Sequence, residues 1–509
     1  MTLARSSPFS RIVLETSPRT LLTVCSSIVV QSPLLKKLLG EVLKNYPGVT
    51  VDLERLEFSG KFEPLIHRWK QLKEAVAAID DSSEESRQTR EHAELLYNLL
   101  QKEFKDLIDA SQDMMSKGVM TYEHLWTLFQ PGAIVFTRQD GQDTALKLHS
   151  AKYGIDRDNN PVFWITGKYI DWDGARFGTN KLNQSIPCYA GTRKITQLKV
   201  YPIDYHTNKD DLSEHLVARG AKAEALAGSH YKAYNGIGWK RGNYGSKDQY
   251  TVKGRVVIDT YGWNRFNPNY AIFVAPLTQK DMALGTDVAV DSGYGDDGMD
   301  HGDDEGGMPA DGHYADEDSE TRRTPLTTEQ KLMCTPLLRA YCLKEKLWLN
   351  IFVNSVKDIE WSTGAFDSLV LPANQKELIL GFTESQRRFN KSFDDVIEGK
   401  GKGIILLLCG PPGVGKTLTA ESVSEEMHVP LFMMSAGDLG LDPRTVEAKL
   451  QSILDMCTRW NALLLLDEAD VFLEQRSLHE LERNKLVSIF LRILEVNILS
   501  ASHALSCVR

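Results

Sequence analysis

The stretch GPPGVGKT, residues 410–417, constrains the fold of this 509-residue chain more than any other feature of the sequence. It matches the pattern GxxxxGK[ST], in which a glycine-rich turn leads into a helix. It follows the apolar run IILLLC, which is typical of a buried parallel strand, and it precedes LTAESVSEEM, which is typical of a helix. This context disfavours an incidental glycine-rich turn and predicts an α/β fold that binds phosphate.

Each residue type in this stretch suits the binding of a nucleoside triphosphate. The glycines let the backbone turn so that its N–H groups, together with the positive end of the following helix, reach phosphate oxygens. The ammonium group of Lys416 can reach the β- and γ-phosphates, and the hydroxyl of Thr417 is a hard oxygen ligand suited to Mg²⁺. The predicted cofactor-binding residues are Gly410, Pro411, Pro412, Gly413, Val414, Gly415, Lys416, Thr417 and Leu418.

A second stretch, ALLLLDEAD at residues 462–470, predicts a strand that ends in carboxylates. Asp467 can hold the Mg²⁺ shell together with Thr417, and Glu468 can orient and polarise the attacking water. The alternative is a solvated acidic turn, which the apolar run disfavours because open α/β sheets bind ligands at the carboxyl ends of their strands. Between the two stretches we predict the strand PLFMMS and a helix that Asp442 caps, with Pro443 in its first turn.

The rest of the chain changes character along its length. Residues 85–109 carry leucines at helical spacing and predict one long amphipathic helix, while residues 120–275 alternate β-branched and aromatic runs with turn residues. The stretch KLMCTPLLRAYCLKEKLW predicts a helix at the start of the final domain. The predicted domains are a mixed and helical region (1–115), a β-rich domain (116–281), an acidic disordered linker (282–327) and a nucleotide-binding domain (328–509).

Charge and composition limit the partners that we expect. The formal charge is −10, but residues 287–320 contain thirteen Asp or Glu and no Lys or Arg, so the rest of the chain carries +3. No basic cluster indicates nucleic-acid binding, and no apolar run is long enough to span a membrane. The seven cysteines form no CxxC pair, and Cys409 and Cys457 fall in a predicted buried strand and helix. We therefore expect reduced thiols in an intracellular protein, cytoplasmic rather than mitochondrial or nuclear, although those compartments stay open.

The motifs resemble a known module when they are taken together. GPPGVGKTLTAESVSEEMHVPLFMMSAGDLG, LLLLDEADVFLEQRS and ERNKLVSIFLRILE resemble the AAA ATPase module. HLWTLFQPGAIVFTR, IDWDGARFG and ITQLKVYPIDYH are similar to the uncharacterised N-terminal domain of a group of filamentous-fungal AAA proteins. The resemblance, over residues 40–495, implies a multi-domain chain with a β-rich α+β domain before an AAA-type P-loop NTPase core of three α/β layers. It also implies catalytic roles for Lys416 and Glu468.

Further expectations follow from this resemblance. It implies that AFDSLVLP, residues 365–372, helps to form the adenine pocket. Arg476 and Asn484 fall where the family faces its ring centre or a neighbouring subunit, and surface polar residues are an equally good interpretation. DLGLDPR, residues 438–444, lacks the aromatic residue of members that thread polypeptide, so threading is not expected.

The end of the sequence departs from the family. After Glu495 only VNILSASHALSCVR follows, and it resembles none of the family's later segments. We therefore expect a truncated core that lacks the sensor strand, the arginine fingers and the helical lid. The strand on either side of the missing one would then lose a neighbour for its backbone groups, unless VNIL, residues 496–499, occupies that place.

Three functions remain open at this level. The first is an ATP-driven AAA machine that hydrolyses Mg·ATP, forms homo-oligomers and remodels a protein partner. The second is a module that binds ATP but hydrolyses it poorly and acts as an adaptor. The third is an interaction protein without nucleotide affinity. The residues favour ATP binding with ATPase chemistry, for which ATP and Mg²⁺ are the expected cofactors.

Overall fold

The protein is described by a computed structural model. The structure describes residues 12–16, 25–50, 53, 55–80, 83–242, 245–277, 325–362, 364–372, 374–379, 381, 404–411, 413–439, 443–467, 488 and 503–508. The chain divides into two compact units. The first comprises Met1–Asp171, Arg176–Ala221 and Phe273–Thr335, and the second comprises Trp172–Ala175, Lys222–Ile272 and Pro336–Arg509.

The elements are numbered in chain order through both units. The helices are α1 (Pro33–Val42), α2 (Glu63–His67), α3 (Trp69–Ala77), α4 (Glu84–Ser116), α5 (Leu125–Leu128), α6 (Lys209–Ala225), α7 (Thr260–Phe266), α8 (Thr328–Leu332), α9 (Lys416–Met427), α10 (Ala436–Leu439) and α11 (Pro443–Trp460). The strands are β1 (Ile12–Thr16), β2 (Cys25–Val30), β3 (Leu56–Ser59), β4 (Val119–Thr121), β5 (Ile134–Gln139), β6 (Gln142–Ile155), β7 (Pro161–Trp172), β8 (Phe177–Pro187), β9 (Thr192–Lys194), β10 (Val200–Pro202), β11 (Ser229–Arg241), β12 (Lys247–Asp259), β13 (Ala275–Pro276), β14 (Leu337–Cys342), β15 (Leu347–Phe352), β16 (Val356–Lys357), β17 (Ile404–Cys409), β18 (Leu431–Ser435), β19 (Leu463–Asp467) and β20 (His503–Val508).

The first unit combines antiparallel sheets with the long helix α4. Its largest sheet has the strand order β10-β5-β6-β7-β8-β13, and a smaller one has the order β1-β2-β3. The side chain of Ser83 caps α4 by accepting a hydrogen bond from the N–H of Ser86, and Leu96 and Leu100 are buried one turn apart on the helix. The predicted long amphipathic helix is therefore confirmed.

The second unit contains a small antiparallel sheet that closes on itself. β11 and β12 form a hairpin, β14 pairs with β12, and β15 pairs with β14. Trp239 of β11 pairs with Asn350 of β15, which completes the ring of strands. Gly238 allows this close approach, because a Cβ atom there would lie 3.0 Å from Cδ1 of Leu349. The inner face buries an apolar cluster that includes Tyr234 and Ile351.

The helix predicted for residues 331–348 is wrong over most of its length. Only the short helix α8 forms, and residues 337–352 then form the antiparallel strands β14 and β15. Every residue of β14 is buried, because both of its faces are covered. A strand buried on both sides has a continuous apolar sequence without period-2 alternation, and such a run cannot be distinguished from a buried helix by pattern.

The second unit also contains a parallel sheet with the strand order β17-β20-β19-β18. Its strands and helices follow the predicted order over residues 404–467, with α9 after β17 and α11 between β18 and β19. Leu463 and Leu465 pack in a cluster with Ala420 and Val423 of α9. Side chains from the other face of β19 pack against α11, so helices cover both faces of this strand.

The neighbour that we expected to be missing from this sheet is present. β20 lies between β17 and β19 and pairs in parallel with both strands. The predicted substitute, VNIL at residues 496–499, lies outside the described residues. The expectation of unpaired backbone groups was therefore wrong, because HALSCV supplies the hydrogen-bonding partners that both apolar strands require.

The two units do not follow the predicted boundaries along the chain. Lys222–Ile272, which we predicted to be part of the β-rich domain, belongs to the same unit as Pro336–Arg509. This grouping follows from strand pairing, since β12 hydrogen-bonds to β14 across a long separation in sequence. Residues 278–324, most of the predicted disordered linker, lie outside the described residues. Among the described residues, no helix is both long and apolar enough to cross a bilayer.

A buried carboxylate connects the closed sheet with α11. Asp259, 1% exposed, accepts hydrogen bonds from Nε of Arg459 at 2.7 Å, from Nε1 of Trp460 at 2.9 Å and from the N–H of Gly262 at 2.9 Å. Three donors compensate for the removal of this charge from water. This residue therefore fixes the last turn of α11, directly before β19.

We expect Asp259→Ala to lower the free energy of unfolding by about 3 kcal/mol, because it leaves buried donors without an acceptor. Asp358→Ala is the matched control, since Asp358 also pairs with a cation, Lys232, but its side chain is 90% exposed. The control should leave stability nearly unchanged. Urea denaturation of both variants checks this prediction, and equal losses would contradict it.

Candidate nucleotide-binding site

The loop between β17 and α9 has a backbone that only glycine adopts readily. Gly413 has φ 82° and Gly415 has φ 91°, and both values lie in the left-handed region. A Cβ atom at either position would meet nothing within 4 Å, so conformation rather than space requires glycine there. Gly410, Pro411 and Val414 complete the described part of the loop, while Pro412 lies outside the described residues.

The amino terminus of α9 faces this loop without a side-chain cap. Gly415 is the N-cap residue, and the first turn contains no acidic residue. The N–H of Thr419 makes the first intrahelical bond, to the carbonyl of Gly415 at 2.9 Å. The N–H groups of the three preceding residues therefore have no acceptor within the helix, and together with the helix dipole they form a site for an anion.

The ammonium group of Lys416 lies over the loop. Its Nζ donates to the carbonyl oxygen of Gly410 at 2.7 Å and to that of Pro411 at 3.1 Å. Both acceptors are neutral, and a charged phosphate oxygen forms a hydrogen bond that is roughly twice as strong. The lysine can therefore exchange these carbonyls for phosphate at little cost.

The candidate metal ligands lie on two different elements. Thr417, half-buried, is the second residue of α9, and Asp467, also half-buried, is the last residue of β19. Register aligns Asp467 with Leu408 of β17, because Leu406 and Leu465 both pair with Leu505. With one strand between them, β17 and β19 are separated by about 10 Å. The loop and the carboxylate thus lie at the same edge of the sheet, and their oxygens are of the type that Mg²⁺ prefers.

The structure describes some of the other predicted site residues and not others. Val414 and Leu418 are 59% and 54% exposed, and their role in binding the nucleotide stays a prediction. Cys409 was predicted to be buried, but it is exposed, on the same face of β17 as the exposed Leu407. Glu468, the predicted catalytic carboxylate, lies outside the described residues.

The segment predicted to contribute to the adenine pocket lies beside α9. Phe366 and Leu369 are buried against Ala420 and Val423 of that helix, whereas Val370 is fully exposed. These two buried side chains support the helix that carries the loop. Their contact with adenine stays a prediction.

Few residues of the predicted ring-facing segments are described. Asp438 accepts hydrogen bonds from the N–H of Ser435 at 2.8 Å and pairs with Lys346 at 2.5 Å, while residues 440–442 are outside the described part of the chain. Arg476 and Asn484 are outside it as well.

Sequence reasoning missed a polar cluster at the far end of α9. The carboxylate of Glu425 pairs with Arg255 of β12 at 2.5 Å and accepts the N–H of Ser362 at 3.1 Å. Burial by itself would raise the pKa of Glu425, but these two donors hold it below its ordinary value, so the carboxylate stays ionised at neutral pH. The ring of Trp361 lies 4.4 Å from that of His428, the C-cap residue of α9. The alternation in RVVID, with charged residues on one face of a strand, was the only signal in the sequence.

The strand β17, the glycine-rich loop and the helix α9 have the arrangement that is typical of a P-loop nucleotide-binding domain. Residues 406–501 match the family described as ATPase family associated with various cellular activities (AAA). Residues 110–207 match a domain of unknown function (DUF7025).

Curated relatives are similar over short stretches. The chain is 33% identical over 89 residues to ATPase family AAA domain-containing protein 3B of Homo sapiens, covering 17% of this chain and 14% of that protein. It is 27% identical over 146 residues to Lon protease of Salinispora arenicola (strain CNS-205), covering 24% of this chain and 19% of that protein. The chain thus spans less than a quarter of the length of these relatives.

A solved structure, the FIGL-1 AAA domain in complex with ADP, aligns with a TM-score of 0.24 at 18% identity. It covers 30% of this chain and 50% of that one.

Proposed function

We propose that this chain binds Mg·ATP and hydrolyses it, and that hydrolysis drives the remodelling of a protein partner. The observation that carries the proposal is the loop itself, with left-handed glycines ahead of an uncapped helix that begins at Lys416. The match of residues 406–501 to the AAA family supports the same chemistry. We also propose that the chain acts as a homo-oligomer, as the AAA resemblance implies.

Some of these residues bind the nucleotide, and Glu468 takes part in the chemical step. The N–H groups of the loop and of the first turn of α9 hold the β- and γ-phosphates, and Lys416 neutralises their charge. Thr417 and Asp467 would hold Mg²⁺, and the ion would supply positive charge that stabilises the negative charge of the transition state. Glu468 accepts a proton from the attacking water as the new P–O bond forms and the bond to the β-phosphate breaks. The ADP oxygen then leaves with the electron pair of that bond.

The partner-binding role falls to the residues outside the ATPase domain. The match over residues 110–207 carries no stated activity, so the partner is identified here only as a protein. Because DLGLDPR has no aromatic residue, we propose remodelling without threading of a polypeptide.

Calorimetric titration of the full chain with ATP and with AMP tests the nucleotide site. ATP should bind and AMP should bind weakly or not at all, because the loop, the helix terminus and Lys416 all act on phosphates that AMP lacks. AMP is the matched ligand, since it keeps the base, the ribose and one phosphate. Equal affinities for ATP and AMP, or no binding of ATP, would contradict the proposal.

A further inference from the structure

At the end of β12, one face of the strand carries two charged residues beside apolar ones. In the stretch RVVID, Arg255, Val257 and Asp259 share a face because side chains alternate along a strand. Val256 and Ile258 point to the other face and belong to the inner core of the closed sheet. The three residues of the first face contact the elements of the ATPase core.

Arg255 clamps the carboxyl end of the phosphate-binding helix α9. Its guanidinium group pairs with Glu425 at 2.5 Å, donates to the hydroxyl of Tyr231 at 3.3 Å, and lies 4.8 Å from the ring centre of Trp361. Glu425 is 17% exposed and Arg255 is 27% exposed, so water screens this pair less than it screens a surface ion pair. Trp361 and Tyr231 restrict the guanidinium group of Arg255. The group therefore has little freedom to follow Glu425 if that carboxylate moves.

Asp259, four residues further along the same strand, clamps the carboxyl end of α11. Its contacts with Arg459 and Trp460 fix the turn that leads directly into β19. Arg459 also stacks on Tyr261, with its guanidinium carbon 4.0 Å from the ring centre.

Between these two clamps the same face contributes to a continuous apolar core. Val257 belongs to a buried cluster with Tyr341, Phe432 of β18 and Trp460 of α11. The ring of Tyr341 lies 5.6 Å from that of Phe432 and 5.4 Å from that of Trp460. The strand and the parallel sheet therefore share packed side chains as well as ion pairs.

We propose that β12 is a brace that fixes the position of α9 relative to β19. Arg255 and Asp259 are then positioning residues for the Mg·ATP site. This inference rests on the proposed function, since α9 carries Thr417 and β19 carries Asp467. Neither Arg255 nor Asp259 touches the nucleotide in this role. Each acts through the element that it holds.

The lengths of the elements explain why clamps at the far ends matter. Thr417 and Glu425 are eight residues apart on α9, which is about 12 Å. A tilt of roughly 5° about the clamped end would move Thr417 by about 1 Å. Two ligands of one Mg²⁺ that come from different elements tolerate little relative movement, because Mg²⁺ demands near-ideal octahedral geometry.

The test compares ATP affinity with and without Mg²⁺ in Arg255→Gln and in Arg459→Gln. Both variants should keep the Mg²⁺-free affinity of the wild type, since the loop and the helix terminus are unchanged. In both variants, the factor by which Mg²⁺ raises the affinity for ATP should fall about tenfold, as expected when the support of a metal ligand is removed. Lys232→Gln is the matched control, because it breaks the ion pair with Asp358 on the opposite face of the same hairpin. The control should change neither affinity.

A charge reversal separates the ion pair from general damage. The double variant Arg255→Glu with Glu425→Arg should recover much of the Mg²⁺ contribution that Arg255→Gln loses. A parallel loss of Mg²⁺-free and Mg²⁺-dependent affinity would show a merely structural role and overturn the brace. The same conclusion follows if the variants keep the full Mg²⁺ contribution or if the reversal recovers nothing.

Failure of the brace can be distinguished from failure of the proposed function. The wild-type chain alone decides the latter: absence of ATP binding contradicts the nucleotide site, and absence of a Mg²⁺ contribution contradicts the metal site. In either case the proposal for β12 is contradicted as well, because it depends on that site. If the wild type behaves as proposed, only the variants decide about the brace.

Discussion

Lys416→Ala is expected to lower the affinity of the chain for ATP about 100-fold. Hydrogen bonds to charged groups contribute roughly 1.5–3 kcal/mol each, so the loss of two phosphate contacts costs about 3 kcal/mol. The lysine side chain is folded over the loop, where it contacts the carbonyls of Gly410 and Pro411 and can reach a phosphate. Fluorescence titration with a labelled ATP analogue measures the change.

Lys357→Ala is the control for this substitution, because it removes the same charge from an exposed position in the same unit. It should leave ATP affinity unchanged. If Lys416→Ala binds ATP as tightly as the control does, the loop is not the nucleotide site, and both functions that depend on ATP are wrong.

Glu468→Gln is expected to slow phosphate release by about 10²–10⁴-fold, the usual contribution of a general base. The amide is similar in size but cannot accept the proton of the attacking water. Affinity for ATP should stay close to that of the wild type, since Glu468 acts on water and not on the phosphates. Single-turnover phosphate release together with ATP titration measures both quantities.

Glu421→Gln provides the matched control, since it makes the same change at an exposed position on α9. An unchanged rate in Glu468→Gln would remove the catalytic role from this residue. If the wild-type chain binds ATP but releases phosphate only at background, the alternative of an ATP-binding, hydrolysis-poor adaptor replaces the proposed ATPase.

The strand, the glycine-rich loop and the helix around residues 410–417 could be predicted from sequence because their signals are local. The apolar run before Gly410, the glycines and the helix from Lys416 all lie within about twenty-five residues, so their chemistry is readable without knowledge of the rest of the fold. The strand that ends in Asp467 was predictable for the same reason. Its position beside the loop required one further rule, that parallel strands bring their carboxyl ends to one edge of the sheet.

Two segments could not be assigned from sequence because tertiary neighbours decide their conformation. Residues 337–342 are apolar at most positions and buried at every one, so no periodicity distinguished a strand from a helix. HALSCV, residues 503–508, mixes polar and apolar residues and carries no family motif. It forms a strand where the open backbone groups of β17 and β19 provide hydrogen-bonding partners on both sides.

By itself, the sequence of this protein determined the glycine-rich loop and the order of the elements around it, since both depend on residues that are near one another in the chain. Only the tertiary structure showed that β12 holds α9 through Arg255 and α11 through Asp259. Arg255 and Glu425 are separated by 170 positions in sequence, and such a contact forms only when packing of the apolar face brings the two elements together.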